Sequence, residues 1–144
     1  MKCYLIQLWR KQDGGVVVEF ALIAPAFLAM IFAVLQFGIG MQNYNALRSA
    51  SADVTRYAVV NYQSANRLSD TQLQAYARSV AIRSPYGLRT SQLDVTIADA
   101  ADQRVAGATE KTLTLTYRIP SMLKLIGVEA IPITYSRPVF LIES

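Results

Sequence analysis

A single carboxylate inside an apolar stretch is the most telling side chain in this sequence. Residues 13–25 read DGGVVVEFALIAP, with Glu19 between a run of valines and Phe20. A charge in a membrane span costs about 2.5–3.5 kcal/mol at the helix centre and less toward an end. Near a helix N-terminus the helix dipole returns roughly 0.3–1 kcal/mol of that cost. The residues alone therefore leave two readings. Glu19 is either an interfacial side chain behind a Gly14-Gly15 helix-start turn, or a group whose charge is needed for function.

Few other residues offer chemistry. The chain has no histidine, which removes the commonest general base and metal ligand. Cys3 is the one cysteine, so neither an intrachain disulfide nor a cysteine metal cluster can form. Asp99 and Asp102 supply two carboxylates where calcium needs 6–8 oxygens, so they read as a solvated loop. No Gly-rich phosphate loop or usefully spaced carboxylate pair is present. The expectation is a protein that is not an enzyme and needs no metal or other cofactor. The net charge is +4, and beyond residue 14 the 11 basic and 9 acidic groups are dispersed, which argues against a nucleic-acid partner.

The element that must position Glu19 is the apolar run behind it. Phe20 to Met41 is 22 residues without a charge, and Gln36 is its only polar side chain. As a helix it is about 33 Å long, enough to cross a hydrocarbon core about 30 Å thick. Pro25 is expected to kink it, which a membrane span tolerates. Gly38 and Gly40 permit close backbone approach, or mark a kink or a looser end. The run continues well beyond Ala24-Pro25-Ala26, so a retained span fits better than a cleaved secretory signal. Lys2, Arg10 and Lys11 precede the span and Arg48 is the first basic residue after it, which places the N-terminus in the cytoplasm.

Beyond the span, Leu47, Ala50, Val54, Tyr57 and Asn61 recur at helical spacing, with Ala46 and Ala58 alongside and Arg48, Ser51, Thr55 and Tyr62 on another side. No Gly or Pro breaks the chain there, so the span continues as one rod with an amphipathic second half. A second helix is expected from Ser69, whose hydroxyl and Gln72 form a capping box, with Leu73, Ala77, Val80 and Ala81 on its apolar face and Ser84-Pro85-Tyr86-Gly87 ending it. Period-2 alternation then marks strands over 93–99, 112–119 and 131–141, with 98–110 as a loop. Pro132 and Pro138 put the last strand at an edge or give it a bulge. Residues 120–130 are more apolar than a loop requires, as a cover for the sheet or a contact surface. The fold class is α+β: a long helix, a shorter helix, and an antiparallel sheet of three strands that needs a helix to cover it.

The residues at the mouth of the span carry a resemblance. Gly14 followed by Gly15-Val16-Val17-Val18-Glu19-Phe20, behind a short basic leader, resembles the processing site of type IVb/IVc prepilins and pseudopilins. Gly15, Val18, Glu19, Phe20, Ala21, Leu22, Pro25, Gln36, Phe37 and Gly38 resemble the N-terminal signature of TadE-like proteins, the minor pseudopilins of tight-adherence (Flp) pili. The Ala- and Arg-rich stretch ALRSASADVTRYAVV resembles the helix that follows in that family, and YSRPVFLIES is a weaker match. The double glycine departs from the pattern and leaves two cut registers, after Gly14 or after Gly15. The spacing to Glu19 fits the first better.

The resemblance implies a pilin-like, non-enzymatic minor pseudopilin needed for Flp pilus assembly. Residues 1–14 would be a cytoplasmic leader removed by prepilin peptidase, 15–41 a transmembrane helix, and 42–144 a periplasmic α/β domain. Gly14 and Gly15 would form the cleavage site, and Glu19 and Phe20 would serve processing and subunit assembly. The implied partners are the prepilin peptidase, the major Flp pilin, a companion minor pseudopilin, the inner-membrane assembly platform and the lipid bilayer. The implied location is the bacterial inner membrane, single-pass, with the C-terminal domain in the periplasm. The alternative is an uncleaved single-pass anchor or scaffold with a small periplasmic interaction domain.

Overall fold

The computed structural model describes residues 13–142 apart from 65, 123, 125 and 126. Most of the expected leader, with Lys2, Cys3, Arg10 and Lys11, lies outside the described residues. Helix α1 runs from Asp13 to Gln63 without interruption, 51 residues with Pro25 inside it. At 1.5 Å per residue it is about 77 Å long. Helix α2 spans Asp70–Ile82, and a 3-10 turn at Thr90–Gln92 leads into strand β1, Leu93–Asp99. Strands β2, Ala108–Ile119, and β3, Ile131–Ile142, complete an antiparallel sheet in the order β1-β2-β3. The α+β class and the three strands are those that the periodicity predicts.

The two helices cover one face of the sheet. The register aligns Val95, Leu115 and Tyr135 across the three strands, so odd-numbered residues share the covered face. Leu93, Val95, Ile97, Leu113, Leu115, Tyr117 and Ile119 are buried there, with Val139 and Leu141 from β3. Leu47, Ala50, Val54 and Ala58 of α1 meet them, as do Leu73, Ala77 and Ala81 of α2. Alanines at the helix contacts let the backbones come close, and Tyr57 stacks on Tyr76 with ring centroids 3.7 Å apart. The other face is a hydroxyl ladder: Thr114 bonds Ser136 at 3.0 Å and Thr116 bonds Thr134 at 3.1 Å.

The capping box at α2 forms as predicted. The Gln72 N–H donates to Ser69 Oγ, and the Ser69 N–H donates to Gln72 Oε1 at 2.9 Å. Pro132 and Pro138 lie on the open-edge strand at positions of the same parity, and pairing with β2 is continuous past both. A proline contributes no N–H to a ladder, so both are tolerated where that group would face the open edge, and they blunt it.

Three details differ from expectation. Ser51 is fully buried with Ala50 and Val54 rather than on another side of the helix, because its hydroxyl donates to the Arg48 carbonyl at 2.7 Å and carries no unmet polarity into the core. Strand β2 begins at Ala108, inside the expected loop, because residues 108–111 pair with 139–142 of β3, largely beyond the reach of β1. The glycines Gly38 and Gly40 mediate no close backbone approach within the chain. A Cβ at Gly38 would meet nothing within 4 Å, and one at Gly40 would meet only the Ile119 side chain at 3.8 Å.

Candidate processing and assembly site

Gly14 and Gly15 sit in the first turns of α1, followed by Glu19 and Phe20 one turn on. A residue four places along a helix lies on the same face, about 6 Å further up the axis. Gly15 and Glu19 therefore share a face. Glu19 is exposed and has no hydrogen-bond or ionic partner among the described residues. Phe20 is exposed to 71%. Nothing in the fold calls for glycine at position 15. A Cβ there would meet nothing within 4 Å, and its φ is not in the left-handed region. Glycine in a helix interior costs about 0.5–1 kcal/mol relative to alanine, so its presence is unexplained by this chain's own packing.

From Val16 to Leu35 the large apolar side chains of α1 face outward, and no part of the most apolar window, of mean hydropathy 2.4, is covered by the rest of the chain. A core helix of a soluble protein would be mostly buried; this one fits a single-pass membrane anchor. Pro25 falls within this uncovered stretch and, having no N–H, cannot donate to the Ala21 carbonyl.

The rod is first covered at Gln36, a residue whose role the sequence did not disclose. Its Nε2 donates to the Pro120 carbonyl at 3.2 Å, and its Oε1 accepts from the Met122 N–H at 3.0 Å. The amide thus clasps the start of the β2–β3 connection. The signal was present: a lone amide in an apolar helix must find partners, since leaving it unmet in hydrocarbon costs several kcal/mol. Beside the clasp an open apolar groove of about 250 Å³ is lined by Phe37, Gly40, Met41, Tyr44, Ile119 and Ile131, among others.

At the opposite end of β2, polar groups tie the hairpin together. Arg104 bonds the Glu110 carboxylate through its guanidinium, with Nε at 2.8 Å, and through its backbone N–H at 3.1 Å. The Arg104 side chain holds the Glu110 carboxyl below its ordinary range despite desolvation. Gln103 brackets the Glu110 backbone, its Oε1 accepting from the N–H at 2.6 Å and its Nε2 donating to the carbonyl at 3.1 Å. Lys111 donates to Asp70 at 2.7 Å and to Asp99 at 2.8 Å, fastening the start of α2 to the sheet. These groups brace the fold. They lie far along β2 from Glu19, and no set of three or more potential metal-ligating residues gathers among the described residues.

The chain matches a family model, that described as TadE-like protein, over residues 14–56. The match begins at Gly14, takes in Glu19, Pro25 and Gln36, and ends at Arg56 on the amphipathic half of α1. Helix α2 and the sheet lie outside it. No curated protein and no solved structure matches the chain significantly.

Proposed function

We propose that this chain, TadE-like over residues 14–56, is a non-enzymatic minor pseudopilin of the tight-adherence (Flp) pilus system, made as a precursor and cut after Gly14. The family match supports a place in that system. The observation that carries the finer reading is Gly15, a glycine in a helix that neither packing nor backbone conformation requires. A membrane peptidase that must bring backbone against its catalytic groups supplies the missing reason, because only glycine leaves the peptide bare on that side.

Cleavage after Gly14 makes Gly15 the new N-terminus, with an amine of unperturbed pKa about 7.7–8.0, mostly protonated at neutral pH. Glu19 becomes the fifth residue, exposed and without an ionic partner among the described residues. In a bundle of subunits the amine of a neighbour neutralises that carboxylate. Pairing offsets the cost of burying the charge in lipid or protein and fixes the axial register of one helix against the next. The partners on this reading are the prepilin peptidase, the major Flp pilin, a companion minor pseudopilin and the inner-membrane platform. The head formed by α2, the sheet and the second half of α1 faces the periplasm.

One observation favours a second reading. Helix α1 already runs through Gly14 and Gly15 unbroken, as suits an uncleaved anchor, and a peptidase must unwind that turn to cut it. Intact mass measurement of the chain from cells with active prepilin peptidase separates the two. A mature chain beginning at Gly15 supports processing after Gly14, one beginning at Val16 shifts the register, and a chain retaining Met1 establishes the anchor.

A further inference from the structure

The exposed apolar length of α1 ends where the head begins. From Val16 to Leu35 the rod measures about 30 Å, which matches the thickness of a bilayer's hydrocarbon core. The next residue, Gln36, is buried and clasps Pro120 and Met122. No free stalk separates span from head, so a span seated at its natural depth brings the β2–β3 connection to the lipid surface. Exposed apolar side chains collect at this level. Phe37 and Met41 project from α1, Met122 follows the clasp, and Ile131 opens β3. Single exposed aliphatics are ordinary, but a contiguous group continuous with an uncovered apolar rod marks a contact surface.

The charges at the same end have the sign that lipid headgroups attract. Arg118 and Lys124 are exposed and line a cleft of about 290 Å³ with Ser91, Gln92 and Ser121, against the single acid Glu129. The phosphate of an anionic headgroup is the ligand that two exposed cations at this level suit.

We propose that the base of the head, built on Phe37, Met41, Met122 and Ile131 with Arg118 and Lys124, docks on the bilayer surface and engages anionic phospholipid headgroups. This rests on the reading of α1 as a membrane span. The docked head is held at one height and one rotation, so the face of α1 that meets other subunits is set by the membrane before assembly begins.

The test uses the full chain with Cys3→Ser and single cysteines at Val34→Cys, Met122→Cys or Asp102→Cys, each carrying an environment-sensitive fluorophore. The proteins are reconstituted into phosphatidylcholine–phosphatidylglycerol vesicles containing a lipid spin-labelled near the headgroup. Labels at Val34 and Met122 should be quenched to a similar extent, and the label at Asp102, at the other end of β2, should not. Removing phosphatidylglycerol, or introducing Arg118→Glu with Lys124→Glu, should reduce the quenching at Met122 and leave Val34 unchanged. Quenching at Val34 with Met122 as bright as Asp102 overturns docking and leaves the span intact. A bright Val34 label overturns the span and docking with it. Quenching at Met122 that ignores lipid charge overturns the headgroup role. Quenching at Met122 that fades as the protein-to-lipid ratio rises overturns docking by giving the surface to a second copy of the chain.

Discussion

Gln36 and Pro120, 84 positions apart, are joined by a hydrogen bond from the Gln36 amide to the Pro120 carbonyl. With the second bond from the Met122 N–H to the same side chain, this is where the orientation of the sheet is transmitted to the apolar rod. The neighbouring contacts are apolar and non-directional. A side-chain amide that donates and accepts at once permits a single rotational setting.

Gln36→Leu keeps the volume and removes both bonds, leaving the Pro120 carbonyl and the Met122 N–H without their partner. The unmet groups cost about 1–3 kcal/mol each where they stay buried, and less where water reaches them. Faster amide hydrogen exchange at Met122 is the expected outcome, with exchange in the β1–β2 ladder unchanged. Unaltered exchange at Met122 shows that the clasp does not fix the connection.

Acid should weaken the hairpin end of the head. Arg104 lowers the Glu110 pKa in the folded state, so the folded chain binds that proton less readily than the unfolded one. The stabilisation is fully present above the unfolded pKa and is lost as pH falls through the folded one, below the ordinary carboxylate range. In Arg104→Ala the guanidinium is lost and only the backbone N–H of residue 104 still opposes the desolvation of Glu110, so its pKa rises. The acid unfolding midpoint of the head should then move to higher pH, as followed by near-ultraviolet circular dichroism.

What the sequence disclosed was what depends on near neighbours. The alternation of Leu93, Val95 and Ile97, the capping box of Ser69 and Gln72, and the helical spacing of Leu47, Ala50 and Val54 are local patterns, and each appears where the spacing places it. What stayed hidden depends on partners distant in sequence or on unusual local satisfaction. Ser51 enters the core because it bonds its own helix, which its polarity alone does not announce. Residues 108–111 are strand only because β3 is long enough to pair with them. Gln36 was visible as an oddity, but its partners sit on a connection whose approach to α1 is a tertiary event. Gly15 and Glu19 stand apart from these: no contact among the described residues accounts for either, so their spacing is the signal that led to the proposal.

The cut register follows from two glycine variants. Gly14→Ala should remain uncleaved, since it places a Cβ on the residue whose carbonyl is attacked. Gly15→Ala should fold unhindered but be cut more slowly, because its Cβ crowds the peptide on the leaving side and alanine stabilises by about 0.5–1 kcal/mol the helical turn that must open. A Gly15→Ala chain that accumulates as precursor while Gly14→Ala matures reverses the assignment and moves the new N-terminus to Val16. Immunoblotting for the size shift, with N-terminal mass determination, reads both.

Glu19→Gln separates processing from assembly. Glutamine keeps the shape of the side chain, so a peptidase that reads the glycines and the apolar run still cuts the precursor. The neutral side chain cannot pair with a neighbour's Gly15 amine, and each subunit then buries an uncompensated ammonium. Removing one partner of a buried pair is destabilising by about 3–5 kcal/mol, far more than an exposed ion pair contributes. The expected outcome is a mature-length chain that stays in the membrane with loss of surface pili, and Glu19→Asp should recover part of the defect because it restores the charge on a shorter arm. Normal piliation by Glu19→Gln removes the pairing from the mechanism. Failure of Glu19→Gln to mature assigns the carboxylate to peptidase recognition instead.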